Sequence, residues 1–261
     1  MRKRLWTILL TVFVFLSGTA LGLSTVYRVD TVTVNVNYVT EAAKVEGAVL
    51  QERLQEAYEG ASTLFVKQKN AEDVLKEYPY FRITGFEKSY PKRLVIDVTE
   101  NAEVYAIEKT AGQEYYILSA DGVVLDVRNT HVNLLNGEEN VILKGLLVAV
   151  EKGKQPTGDV CFASVLSVCQ ELSSQLNGIR CNVVAVDLIR RSPEMVLTVT
   201  MREGVKLYIS NPGELVKEKV EVALSEYSAL SDAEKTGGRI LLFENAGKIY
   251  ADYSAVDEFA L

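Results

Sequence analysis

Histidine, cysteine and proline are scarce in this 261-residue chain, and each scarcity removes a class of chemistry. His131 is the single histidine. A Ser-His-Asp or Cys-His arrangement would rest on it alone, with no second base beside it, so a solvated loop histidine is the expectation. The three cysteines, Cys161, Cys169 and Cys181, are odd in number and match neither a C-x-x-C redox pair nor a zinc ribbon. Cys161 and Cys169 read instead as small buried hydrophobes on one helix. No H-E-x-x-H, phosphate-cradling glycine loop, nucleophile elbow or dinucleotide fingerprint occurs. The adjacent acids Glu138 and Glu139 sit in a loop, where solvated charge is expected, whereas glycoside hydrolysis needs two carboxylates facing across a cleft. Neither a cofactor nor an enzyme is expected from these residues.

Positive charge is also in short supply. The chain carries 28 Lys and Arg against 35 Asp and Glu, a net charge of −7, which disfavours nucleic acid as a partner. Long apolar runs are absent with one exception, Leu5 to Leu23, which contains no charged side chain. As a helix it would measure about 28 Å, the thickness of a bilayer's hydrocarbon core. Arg2, Lys3 and Arg4 precede it, so the positive-inside bias predicts a four-residue cytoplasmic tail (1–4), a transmembrane signal-anchor (5–23) and an extracytoplasmic body. A cleaved secretory signal is the competing reading, since Gly18, Thr19 and Ala20 offer small residues. The expected location is the plasma membrane, as a single-pass protein.

What is present is alternation and helical periodicity enough for two domains. Val32, Val34 and Val36 alternate with Thr31, Thr33 and Asn35, a half-buried strand. Leu50, Leu54, Ala57 and Tyr58 then form an apolar helical stripe that Gly60 ends. A shorter helix is predicted with Asn70 as its cap and Pro79 as its stop. Tyr80 to Glu87 and Arg93 to Thr99 read as two strands around the reversal Lys88-Ser89-Tyr90-Pro91-Lys92. The predicted order is strand, helix, helix, strand, strand.

The string Tyr90-Pro91-Lys92-Arg93-Leu94-Val95-Ile96-Asp97-Val98-Thr99-Glu100, placed after that order and after a signal-anchor, resembles the POTRA domain of the FtsQ/DivIB bacterial cell-division proteins. Their hairpin reads aromatic-Pro-x-x-Leu-x-Ile-x-Val-x-Glu. The chain departs from the pattern at Asn101 and Glu103, where Arg and Pro are usual, and at Val36-Asn37-Tyr38, where a glycine is usual. The resemblance continues into a second, β-rich region whose opening stretch is Tyr116 to Gly122.

In that region Val104 to Ile107 and Tyr115 to Leu118 read as strands, and Asp121-Gly122 as a hairpin turn before Val123 to Leu125. Residues 130–158 show no clear period. Asp159 to Leu176 is a helix with Phe162, Val165, Leu166, Cys169, Leu172 and Leu176 on one face. Asn182 to Ile189, Met195 to Arg202 and Val205 to Ser210 read as a meander, Glu214 to Tyr227 as a helix, and Arg239 to Glu244 and Lys248 to Tyr253 as two last strands. If the last strand lies at a sheet edge, its unpaired N–H and C=O groups can take up a partner's extended segment. Ile249, Ala251 and Tyr253 would then face the core and Lys248, Tyr250 and Asp252 the partner.

The expected fold class is α+β: a transmembrane helix, a POTRA-like domain (β-α-α-β-β) over 28–100, a mostly antiparallel β-domain with covering helices over 101–253, and a tail over 254–261. The resemblance implies a membrane-anchored, non-enzymatic scaffold at the division septum that binds FtsB/DivIC-like and FtsL-like proteins. The alternatives are an exported cell-wall enzyme and a POTRA-type envelope-assembly chaperone; the latter would show tandem copies and a barrel's worth of strands.

Overall fold

The computed structural model describes residues 12, 13, 22, 25–39, 41–110, 113–133, 137–191 and 194–256. The chain divides into two compact units, Met1–Asn101 and Ala102–Leu261. Among the described residues there are twelve strands and four α-helices.

The first unit runs β1 (Thr31–Asn37), α1 (Glu41–Tyr58), α2 (Gln68–Leu75), β2 (Phe81–Ser89) and β3 (Arg93–Glu100). β3 is central in the sheet order β1-β3-β2, parallel to β1 and antiparallel to β2. The helical stripe buries Leu50, Leu54 and Tyr58 completely against Val34, Leu94, Ile96 and Val98. Each such aliphatic side chain contributes roughly 1.5–3 kcal/mol of transfer free energy. The Tyr58 hydroxyl donates to the Lys67 carbonyl at 2.7 Å, and burial pushes its pKa up to about 12. Buried Thr63 donates to the Pro91 carbonyl at 2.6 Å, tying the loop before α2 to the β2–β3 reversal. Glu100, also buried, accepts from the Val39 amide at 2.6 Å, so the final residue of the hairpin string secures the exit of β1. α2 starts at Gln68, two residues ahead of the expected cap Asn70, which lies inside the helix. Its flanking residue Lys67 offers no side-chain cap.

The second unit contains β4 (Glu103–Thr110), β5 (Glu114–Ser119), β6 (Val124–Arg128), β7 (Val141–Lys144), α3 (Phe162–Gln175), β8 (Val183–Arg190), β9 (Met195–Met201), β10 (Lys206–Ser210), α4 (Val216–Ala229), β11 (Arg239–Asn245) and β12 (Lys248–Ser254). Its strands make one nine-stranded sheet in the order β12-β11-β10-β9-β8-β7-β4-β5-β6. Phe162, Val165, Leu166, Cys169 and Leu172 of α3 and Val220 and Ala223 of α4 bury against one core with Leu143, Val186, Leu197, Val199, Leu207 and Ile240. Burial pushes the Cys169 thiol up to about 12, so it stays protonated and inert.

Two expectations are corrected here. The fold class is mixed α/β and not α+β: five of the eight ladders of the large sheet are antiparallel, but β4–β7, β7–β8 and β10–β11 are parallel pairs. For two of the three the reason lies in the connections, because β7 reaches β8 through α3, and β10 reaches β11 through α4. A helical crossover returns the chain to the same end of the sheet and makes its flanking strands parallel. The transmembrane helix is corrected as well. Among the described residues no helix is long and apolar enough to cross a membrane. α1 has eighteen residues but carries Lys44, Glu46, Glu52, Arg53 and Glu56, and a span needs about twenty consecutive apolar residues. The expected span at 5–23 lies almost wholly outside the described residues, as do 1–4 and 257–261. The single-pass plasma-membrane location expected from that span, with the N-terminus inside and the body outside, therefore does not stand.

Two features pin the central strands. Asp159, ahead of α3, accepts from the Leu147 amide at 2.7 Å and the Cys161 amide at 3.0 Å and pairs with Arg190 at 2.5 Å. Burial acts to raise its carboxyl pKa, but the two amides and the guanidinium together hold it below the usual value. Gly145, just past β7, has φ +72°, and a Cβ there would strike the Leu188 carbonyl. Gly145→Ala should destabilise the second unit by about 1–3 kcal/mol from backbone strain alone, read as a lower Tm; an unchanged Tm would count against the described turn. Because the Asp159 pKa is depressed, the stability it supplies is complete above pH ~4 and is lost as pH falls through the lower folded value. Asp159→Asn should therefore lower stability at neutral pH and flatten the acid limb of a stability-versus-pH curve.

Candidate functional site at the terminal hairpin

β11 and β12 form a hairpin whose turn is Ala246-Gly247, with φ +52° and +74°. Positive φ at both central residues gives a turn whose twist matches the flanking strands. The register sets Asn245 opposite Lys248, Phe243 opposite Tyr250, Leu242 opposite Ala251 and Leu241 opposite Asp252. β12 closes one end of the sheet and pairs with β11 alone.

The two faces of the ribbon differ. Ile249, Ala251 and Tyr253 pack against the core. The Tyr253 hydroxyl donates to the Glu234 carbonyl at 3.0 Å, with that of Gly237 at 3.3 Å, fastening β12 to the loop after α4. Lys248, Tyr250 and Asp252 alternate with these and are exposed. Tyr250 stacks on Phe243, with ring centroids 5.6 Å apart and planes 18° from parallel. Both rings remain nearly half exposed, at 44% and 46%. Phe243 was not among the residues singled out from sequence, although the two-residue turn fixes a register that sets it opposite Tyr250.

The hairpin also outruns the sheet that supports it. The β10–β11 ladder covers only Lys206–Tyr208 with Arg239–Leu241, so Leu242–Asn245 is paired with β12 and not with β10. At that point the Lys219 ammonium donates to the carbonyls of Ser210 and Asn211 at 2.8 and 3.0 Å. Burial lowers its pKa, opposed by Glu214 and Glu244. The arrangement offers an unpaired backbone rim beside a small aromatic patch, which can add a strand and seat apolar side chains.

The remaining sequence candidates are engaged in structural contacts. His131 packs its ring against Tyr115, with centroids 5.3 Å apart. Glu138 and Glu139 pair with Arg180 and Arg202 respectively. A buried polar group lies nearby: Glu103 accepts from Arg128 at 2.7 Å and from the Asn140 amide at 3.2 Å, while Arg180 donates to the Glu103 carbonyl. Among the described residues no cluster of His, Cys, Asp and Glu could hold a metal ion. Comparison with known proteins finds neither a family model nor a curated sequence that matches the chain.

Tyr253→Phe removes the hydrogen bond that holds β12 to the preceding loop, at a net cost of about 0.5–1.5 kcal/mol. Amide exchange should quicken across Lys248–Ser254 and stay unchanged in β8 and β9; uniform behaviour of all strands would refute a separately fastened edge.

Proposed function

We propose that this chain is a non-enzymatic scaffold of the bacterial cell-division machinery that binds division proteins of the FtsB/DivIC and FtsL type. The reading rests on two supports. One is the resemblance of Tyr90 to Glu100, and of the strand-helix-helix-strand-strand order around it, to the POTRA domain of FtsQ/DivIB proteins. The other, which carries most weight, is the open rim of β12 with Lys248, Tyr250 and Asp252 displayed on it. In this reading the partner's extended segment pairs with the β12 backbone. Tyr250 and Phe243 supply the apolar anchor, and Lys248 and Asp252 set register by charge.

The charges on β12 would equally serve to blunt an idle edge against aggregation. The stacked pair separates the two roles, because a strand protected from association gains nothing from two half-exposed aromatic rings at its tip.

Tyr250→Ala should weaken binding of a coiled-coil partner of the FtsB/DivIC type at least tenfold, the loss typical of an aromatic anchor, while Tm stays within about a degree. Unchanged affinity in a titration with the purified partner would refute the assignment.

A further inference from the structure

A second open edge lies in the first unit, on residues that the reading above does not use. β1 is the outer strand of the order β1-β3-β2. The Thr31 amide points inward, donating to the Lys92 carbonyl at the start of β3, so the N–H and C=O of Val32 point away from the sheet. On that side the Gln55 amide of α1 reaches the Val32 carbonyl at 3.4 Å, a long bond that a better donor can replace. Between strand and helix runs a groove of about 400 Å³, bounded by Val29, Thr31 and Val32 on one side and by Gln55 on the other.

The wall of the groove is acidic. Glu52 and Glu56 lie on one face of α1 together with Gln55, Glu59 follows in the turn directly after the helix, and all three carboxylates are exposed. Asp30 stands at the strand side. Two of the four acids are already compensated: Lys92 pairs with Asp30 at 2.7 Å, and Arg53 lies 4.0 Å from Glu56. Among the described residues Glu52 and Glu59 have no basic partner.

We infer that this groove binds an extended segment of a partner protein that carries Lys or Arg at alternate positions and adds to β1 as an extra strand. The backbone rim supplies the ladder, and alternate side chains of the guest point over the helix face. There they meet Glu52, Glu56 and Glu59. Charge complementarity selects a cationic guest, because an acidic or purely apolar strand would face uncompensated carboxylates. The inference concerns a different edge and a different unit from the β12 reading and stands without it.

The full chain titrated with a fluorescein-labelled octapeptide alternating lysine and threonine tests it. Binding should weaken at least tenfold when E52Q, E56Q and E59Q are combined, with Tm retained because all three side chains are exposed. Amide exchange at Val32 and Val34 should slow on addition of the peptide. An octapeptide alternating lysine and proline, which cannot form a ladder, should bind at least tenfold more weakly. The inference is overturned by failure of the lysine-threonine peptide to bind, by equal binding of a glutamate-threonine peptide, by equal binding of the proline peptide, by unchanged affinity in the triple variant, or by unaltered exchange at Val32. Loss of β12 binding in Tyr250→Ala would leave all these outcomes unaltered, so the two readings fail separately.

Discussion

Backbone pairing along the nine-stranded sheet is the constraint on which the second unit depends. Every strand from β11 to β5 has a ladder on both sides, and burial of those N–H and C=O groups is tolerable only because each row is completed by a neighbour. An open sheet has to end, and the two ends here are β12 and β6. β6 keeps Val124 and Leu125 buried and places Arg128 in the polar group with Glu103 and Asn140, so that end is tied into the body. β12 is fastened along one face and one side only, and past Leu241 even its partner β11 loses its inner neighbour. The stretch of the hairpin without an inner neighbour is thus also where two aromatic rings are displayed.

The same constraint explains the parallel pairs. A sheet built only from hairpins would have left α3 and α4 without a path back to it. Using both helices as crossovers sets β8 beside β7 and β11 beside β10, each pair parallel. The crossovers also put Phe162, Leu172 and Val220 over the inner strands, where burial is complete or nearly so. Asp159 and Gly145 stand at the junctions of the β7–α3–β8 crossover. There the chain needs polar groups satisfied away from the ladder and a backbone free of Cβ, and those two residues provide one each.

Strands with one wet face were legible in the sequence, and so were helices with one apolar stripe. β1 shows the period-2 valines; α3 was expected over Asp159 to Leu176 and is found at Phe162–Gln175. β7 was not legible, because its first three residues are apolar on both faces: Val141 and Leu143 join the helix-covered core while Ile142 packs on Ala106, Tyr115 and Ile117. Direction was legible only where short turns join neighbours, as in the β8-β9-β10 meander; periodicity identifies a strand but does not say which distant neighbour it joins, so the parallel pairs β4–β7, β7–β8 and β10–β11 were not foreseen. Hydropathy nominated residues 5–23 as a span, a property of composition that no described helix shares. At the site, alternation sufficed to separate Ile249, Ala251 and Tyr253 from Lys248, Tyr250 and Asp252. Phe243 needed the hairpin register as well, since its role depends on a partner on another strand. The acidic groove on β1 was beyond sequence reading altogether, because Glu52, Glu56 and Glu59 look like any solvated charges until α1 is laid beside an open strand edge.

The open edges at β1 and β12 raise the question of what prevents copies of the chain from pairing along them. Negative charge answers it for β1. Two copies brought edge to edge would set one row of Glu52, Glu56 and Glu59 against another, and like charges so placed oppose the ladder that the backbones would otherwise form. A cationic strand meets no such opposition, so one feature rejects the self-pair and admits the guest. At β12 the outward row mixes signs, Lys248 with Asp252, and an antiparallel copy could in principle match them. Discrimination there has to come from shape: the stacked Phe243 and Tyr250 rings stand out from the hairpin tip, and a second tip of the same kind would meet ring against ring where a guest with a complementary hollow would not. The two edges thus exclude self-association by different means, charge in one unit and relief in the other, and each means leaves a different kind of partner acceptable.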